Sequence, residues 1–151
     1  RRASSSLIAD AGAPELPARF TWPVRVYWED TDGQGVVYYA NYLKFMERCR
    51  TEWLRSIGVD QARMRREEGR IFVIVALEAD YRRPARLDDE LTVTCEIEEH
   101  GRASFTFRQD IFRGGDGVEL LVSGRTRAAC LDAASLKPKA FPAALVKELE
   151  Q

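Results

Sequence analysis

Three carboxylates fall within four residues, Glu29, Asp30 and Asp32, in the run EDTDGQG. An alternating stretch precedes them and a helix-periodic stretch follows. A carboxylate in a turn just ahead of a helix start faces unpaired backbone N–H groups and the positive end of the helix dipole. That arrangement suits acyl hydrolysis. The carboxylate serves as nucleophile or general base, and the amides stabilise the developing oxyanion. Local sequence leaves a second reading open, in which EDTDG is only a polar turn closed by an Asx-type hydrogen bond.

Other chemistries find little support. The chain has one histidine, His100, in the run EEHGR. A Ser–His–Asp or Cys–His system would have to use it, and an exposed turn residue is the expectation. There is no GxSxG elbow, and Ser123 sits inside a strand-like run, LVSGR. GQG is too short for a Walker or dinucleotide fingerprint. Cys49, Cys95 and Cys130 are odd in number and widely spaced, with no CxxC or Cys/His spacing. No metal is therefore expected, and reduced thiols in the cytoplasm are. Cys49 falls on a helix stripe and reads as core rather than nucleophile. The 23 basic and 24 acidic residues leave a net charge of −1, without the basic excess of a nucleic-acid binder. Arginines interleaved with Glu and Asp describe solvated faces. No apolar run approaches the roughly 20 residues of a transmembrane segment.

The elements that must hold the carboxylates follow from periodicity. A chain of 151 residues, 45% hydrophobic and 31% charged, fits one domain with a real core. Residues 1–19 are rich in Ser, Ala, Arg and Pro without periodicity, and are expected to be a flexible extension. Their Arg and Ser would suit a targeting remnant, but Asp10 and Glu15 count against it and no secretory apolar region is present. The chain does not open on Met, so trimming is expected. The domain is expected over 20–151.

Within it, residues 20–28 alternate, with Val24, Val26 and Trp28 on one face and Arg25 and Tyr27 on the other. Pro23 belongs near that strand's start or at an edge. EDTDGQG breaks the strand. Residues 42–57 carry a helical stripe of Leu43, Met46, Cys49 or Arg50, Trp53, Leu54 and Ile57. Asn41 is the expected N-cap and Gly58 the C′ residue. Arg48–Glu52 and, more weakly, Glu47–Thr51 form i,i+4 pairs. A short polar helix is expected within 59–69.

From residue 70 the period becomes two, giving strands at 71–81, 91–98, 103–112 and 118–131 and then a short helix at 143–150. RRPARLDDE, EHGR and RGGDG connect the strands, and the last two read as hairpin loops. One long helix and a four-strand meander imply an α+β domain, a curled antiparallel sheet of about five strands around a central helix.

The stretch YWEDTDGQGVVYYANYLKFMERCRTEWLR resembles the signature of the 4-hydroxybenzoyl-CoA thioesterase branch of the hot-dog superfamily. It is especially similar to the acyl-CoA thioesterases associated with the Tol–Pal system. Matching positions include Glu29, Asp30, Thr31, Asp32, Gly35, Val36, Val37, Tyr38, Asn41, Tyr42, Glu47, Arg48, Arg50, Thr51, Glu52, Trp53 and Leu54. RRPARLDDEL and LKPKAFP match in family order further on. The resemblance implies a hot-dog domain that hydrolyses acyl or aroyl thioesters of CoA or acyl carrier protein without cofactor. It implies Asp32 as the catalytic carboxylate and the Tyr39 backbone N–H as the group facing the thioester carbonyl. The Tol–Pal-associated enzymes carry His at the position of Tyr39 and the hydroxybenzoyl-CoA enzymes carry Tyr, which bears on substrate class more than on reaction type.

Gly35, Val36, Val37, Tyr38, Tyr42 and Phe45 are the substrate-binding candidates, although aromatic residues beside a helix also serve as core. Arg82, Arg83, Arg86, Arg102, Lys137 and Lys139 are candidates for the CoA phosphates. A homodimer or homotetramer is implied, with active sites between subunits. The competing readings are a non-catalytic acyl-CoA-binding protein on the same fold and an acyl-thioester dehydratase.

Overall fold

Every segment of period two becomes a strand in the computed structural model, which describes residues 19–114 and 119–151. The expected N-terminal extension, apart from Arg19, lies outside the described residues, as does most of the RGGDG loop with Val118 after it. The strands are β1 (Phe20–Arg25), β2 (Arg70–Tyr81), β3 (Glu90–His100), β4 (Ser104–Arg113) and β5 (Glu119–Asp132). They form one antiparallel sheet in the order β1-β3-β4-β5-β2. Pro23 lies in β1, an edge strand, where its missing N–H costs no ladder bond.

Two expectations need correction. The four later strands are not a simple meander. β3, β4 and β5 follow one another as hairpins, but β1 takes the other side of β3, and β2 lies at the far edge against β5. The segment 82–89 spans the end of the sheet between them. The first strand also ends early. Val24 and Val26 are buried as expected, but Trp28 is 77% exposed, within a 3-10 turn over Trp28–Asp30. The Asp30 carboxylate accepts the Tyr27 N–H at 2.9 Å and turns the chain there.

The helices are α1 (Asn41–Ser56), α2 (Gln61–Glu68) and α3 (Ala143–Leu149). α1 lies on the concave face over β3 and β1, and buries Tyr42, Phe45, Met46, Cys49 and Leu54. Leu43, Trp53 and Ile57 pack at its flanks. It approaches β5 closely at Gly124, where a Cβ would stand 2.9 Å from Met46 Cε. Gln109 is fully buried and ties helix to sheet. It donates to Met46 O at 3.1 Å and Thr94 O at 3.3 Å, and accepts from the Arg50 guanidinium at 2.9 Å. Glu52 pairs with Arg55 at 2.6 Å rather than with Arg48, while the Thr51 hydroxyl donates to Glu47 at 2.6 Å. α2 is capped by Asp60, which accepts the Arg63 N–H at 3.0 Å. Among the described residues no helix is long and apolar enough to cross a membrane.

Because α1 sits over β3 and β1, the middle of β2 is left uncovered. Phe72, Ile74, Leu77, Ala79 and Tyr81 pair with Cys130, Ala128, Thr126, Gly124 and Val122, several of them core residues, and so face the helix side. A register shift after Ile74 inserts Val75 and keeps that row facing inward. Even so, Ile74 and Leu77 are 49% and 46% exposed.

Candidate active site

The residues between β1 and α1 fold into a small hairpin. Thr31 bridges Val37, the Asp32 N–H donates to Val36 O at 2.8 Å, and the Tyr38 N–H donates to Asp30 O at 2.8 Å. Gly35 closes the turn with φ of 79°, in the left-handed region that glycine adopts freely. The three carboxylates are now distinguished. Glu29 is exposed. Asp30 is 5% exposed and clamped, one oxygen accepting the Tyr27 N–H and the other the Asn41 side-chain amide, both at 2.9 Å. Asp32 is half-buried. Its Oδ1 accepts the Gln34 N–H at 2.7 Å, an Asx turn, and its Oδ2 has no partner among the described residues. The turn and the available carboxylate therefore coexist.

Asn41 is not the N-cap. It is the first residue of α1, its side chain is buried against Asp30, and Ala40 occupies the cap position without a side-chain bond. The Tyr39 and Ala40 N–H groups have no acceptor among the described residues. They stand at the positive end of a 16-residue helix, a site suited to negative charge.

Tyr81, at the end of β2, holds this corner. Its hydroxyl donates to Tyr39 O at 3.0 Å, and its ring packs 5.6 Å from Tyr42 and 6.4 Å from Tyr39, centroid to centroid. Burial and the nearby Tyr39 phenol raise the Tyr81 pKa above the usual phenol value. Tyr42 is buried and its oxygen accepts the Ala85 N–H at 2.9 Å. Burial lifts its pKa, and Tyr81 and Asp32 add to the effect, while the Ala85 N–H and Arg113 oppose it.

The segment 82–89 forms the facing wall. Val37 N–H donates to Ala85 O at 2.8 Å and Val36 bridges Arg86. Arg113 staples this wall to the sheet through Asp89, Glu119 (2.9 Å) and Pro84 O (2.8 Å).

Of the remaining candidates, Gly35, Val36 and Val37 lie in the hairpin itself. Tyr38 and Tyr39 are 44% and 63% exposed at the helix start, whereas Tyr42 and Phe45 are in the core. Arg82, Arg83 and Arg86 are exposed on the wall, with Arg83 3.4 Å from Glu119. Arg102, Lys137 and Lys139 lie at the opposite end of the sheet. There Lys139 reaches Glu68 O at 3.0 Å and Asp132 at 3.4 Å. His100 is at that far end too, exposed, with Nδ1 3.3 Å from Gly101 O. The three cysteines are free and buried. Hydrogen bonding with Cys49 and burial hold the Cys95 thiol far above its ordinary pKa, and burial raises that of Cys130. Thiols held protonated in this way are poor nucleophiles. Among the described residues no group of His, Cys, Asp and Glu is arranged to hold a metal ion.

Sequence reasoning missed three contributors. Asp30 read as one acid among three, Tyr81 as the end of a strand, and Arg113 only as part of the RGGDG hairpin loop. Each acts through a contact with residues distant in sequence, at most 42 positions away for Tyr81.

Comparison with known proteins bears on what this corner does. A family model described as "Thioesterase superfamily" matches residues 34–120. An acyl-CoA thioesterase, YbgC, of Haemophilus influenzae is 43% identical over 123 residues, covering 82% of this chain and 88% of its own. The acyl-CoA thioester hydrolase YbgC of Escherichia coli O6:H1 is 41% identical, covering 87% and 96%. Among solved structures, a probable thioesterase from Bartonella henselae superposes with a TM-score of 0.72 at 35% identity, covering 83% of this chain and all of that one. A 1,4-dihydroxy-2-naphthoyl-CoA thioesterase from Synechocystis shares the fold with a TM-score of 0.81 at 24% identity, covering 89% and 97%.

Proposed function

The chain belongs to the thioesterase superfamily and is a thioester hydrolase; from that premise we propose that it acts on acyl-CoA thioesters and that Asp32 and the Tyr39 N–H carry its chemistry. The observation behind this is that, among the described residues, Asp32 Oδ2 is unengaged and the first N–H groups of the helix start that follows its hairpin lack acceptors. The thioester carbonyl oxygen accepts the Tyr39 N–H, which polarises the carbon and stabilises the oxyanion formed on attack. Asp32 either attacks that carbon, giving a mixed anhydride that water then cleaves, or removes a proton from an attacking water. In both routes the C–S bond breaks, the thiolate leaves and takes up a proton, and a carboxylate is released. A thiolate leaves readily, so the reaction needs neither a triad nor a cofactor.

Gly35, Val36, Val37 and Tyr38 border the reacting group, and Arg82, Arg83 and Arg86 are placed for CoA phosphates from the same end of the sheet. The exposed β2 edge supports a homodimer. Two copies pairing antiparallel along β2 bring the residue-70 end of one beside the Tyr81 end of the other. That pairing carries the second copy's Arg102, Lys137 and Lys139 toward the site and closes a corner that is open in a single chain. An acyl carrier protein thioester presents the same reacting carbon and is a second form of substrate. The three buried free thiols suit a reducing, cytoplasmic setting.

Asp32→Asn is the test. It keeps the Asx turn, since the amide oxygen still accepts the Gln34 N–H. Loss of at least a hundredfold in kcat with thermal stability and CoA binding retained is expected, and turnover near wild type would overturn the assignment.

A further inference from the structure

Two consecutive residues at the start of α1 grip the hairpin that carries Asp32, one on each of its strands. Consecutive helix positions point about 100° apart, so Asn41 and Tyr42 reach different neighbours. Asn41 Nδ2 donates to Asp30 Oδ1 at 2.9 Å and holds the incoming strand. Tyr42 turns to the segment 82–89, where its oxygen accepts the Ala85 N–H at 2.9 Å. The Ala85 carbonyl accepts the Val37 N–H at 2.8 Å, and Val36 bridges Arg86 on the same wall. The outgoing strand is therefore held by Tyr42 through Ala85. Thr31 and Val37 bridge one another across the hairpin, and Asp32 is the next residue toward the turn. Its backbone is thus fixed from two anchors that both start in the first turn of α1.

The Ala85 peptide is a stiff relay between the two. Tyr42 is 3% and Ala85 0% exposed, so solvent does not compete for their bond. The peptides on either side are fixed as well: Pro84 O accepts from Arg113 at 2.8 Å, and the Arg86 N–H donates to the Asp89 carboxylate at 2.8 Å. The Tyr42 ring packs edge-on against Phe45 and tilted against Tyr81, with centroids 6.1 Å and 5.6 Å away. The core therefore sets where the hydroxyl stands. Burial raises its pKa, so the phenol stays neutral and its part is geometric. A buried N–H that loses its acceptor has no water to turn to, and the wall must shift to satisfy it. Such a shift passes through Ala85 O to Val37 and so to Asp32.

We propose that Tyr42 is a positioning residue for the hydrolysis: by holding Ala85, its hydroxyl sets the gap between the helix start and the Asp32 carboxylate. This rests on the catalytic reading of Asp32 and the Tyr39 N–H above. It replaces the substrate contact that the sequence suggested for Tyr42. The side chain is buried and bonded to the wall, and it acts on the reaction through Ala85 and Val37 rather than by touching the acyl group.

The test is thiol release from octanoyl- and benzoyl-CoA by the full chain. Tyr42→Phe removes one oxygen and keeps the ring. It should lower kcat about tenfold, a misplacement of well under an ångström, by the same factor for both esters and with KM unchanged. In an Asp32→Asn background the same substitution should leave the residual rate unchanged, because no carboxylate is left to misplace. Hydrogen exchange should quicken at the Ala85 and Val37 amides and stay as in wild type along the rest of α1. Ala85→Gly loosens the relay with Tyr42 left in place, and a several-fold lower kcat there keeps the test independent of one variant's folding. Leu145→Ala in α3, which packs beside His100 at the other end of the sheet, is the control: it should lower the melting temperature without lowering kcat. Unchanged kcat in Tyr42→Phe and Ala85→Gly, a change in KM alone, unchanged exchange at Ala85, an equal loss in the Asp32→Asn background, or a matching loss in Leu145→Ala overturns the positioning role and leaves the catalytic reading standing. Near-wild-type turnover by Asp32→Asn itself overturns both.

Discussion

Asn41→Ala separates the structural carboxylate from the chemical one. In the folded chain Asn41 Nδ2 donates to Asp30 Oδ1 at 2.9 Å, and both side chains are buried. Among the described residues Asp30 has one other side-chain donor, the Tyr27 N–H. Removing the amide leaves a buried carboxylate oxygen unpaired, and a hydrogen bond to a charged group is worth about 1.5–3 kcal/mol. For a domain of this size that corresponds to a fall in melting temperature of about 4–10 °C. The same bond ties the hairpin bearing Asp32 to the first turn of α1. Its loss should therefore lower kcat by about tenfold with little change in KM, a misplacement effect rather than lost binding. The assay is calorimetry with steady-state thiol release, closed as a double-mutant cycle with Asp30→Ala. If Asn41 acted only as a helix cap, its removal would cost about 1 kcal/mol and would not couple to Asp30. Additive effects in the cycle, or unchanged kcat in the single variant, would refute the clamp.

Three further outcomes follow from the same corner. Tyr39→Phe should keep most of the activity if, as proposed, the backbone N–H and not the phenol faces the carbonyl; a collapse of kcat at normal stability would assign the phenol a role. Tyr81→Phe removes the hydroxyl that fixes Tyr39 O and should reduce kcat several-fold with about 0.5–1.5 kcal/mol of destabilisation, read by turnover and urea melts. Arg113 holds the Glu119 carboxyl below its ordinary value of 4.5. A carboxyl depressed on folding adds stability above its unfolded pKa and loses it as the pH falls through its folded pKa. Wild type should therefore lose stability below about pH 4.5, and Arg113→Gln should show a shallower acid slope; identical slopes would dismiss the contribution of this pair.

Periodicity located β1, β3, β4, β5 and α1 because each has one buried face, and a single face is what period two or 3.6 records. The valines of β1 and the stripe of α1 were legible for that reason. What periodicity does not record is which edge a strand joins. β2 reads as the first strand of a meander, and its place beside β5 depends on β1 occupying β3, a choice between non-local pairings. Trp28 failed for a local reason of another kind: Asp30 takes the Tyr27 N–H and bends the chain out of the strand before the alternation in the sequence stops. At the site, the Asp32 turn was visible in the residue types, and the resemblance supplied the choice among three acids. The division of labour was not visible, because Asp30 becomes structural only when Asn41 arrives from the helix, and Asn41 looks like a cap in one dimension.

The mismatch along β2 has a physical reading of its own. Its sequence, RIFVIVALEADY, is as apolar as a strand covered on both sides, yet Ile74, Val75 and Leu77 are each about half exposed at a free edge. A long apolar edge is a liability in water, and natural sheets blunt such edges with charge, proline or cover. Here the central five residues carry no charge and no proline, so cover remains. A second copy pairing along the strand, as proposed above, would satisfy its unpaired backbone groups and cover Val75. The apolar run would then be accounted for by another β2 at its edge. If so, substitution of Val75 by Lys should yield monomers of lower thioesterase activity. Sedimentation combined with thiol release reads both. A Val75→Lys protein that remains dimeric and fully active would break the link drawn here between the strand's composition and its cover.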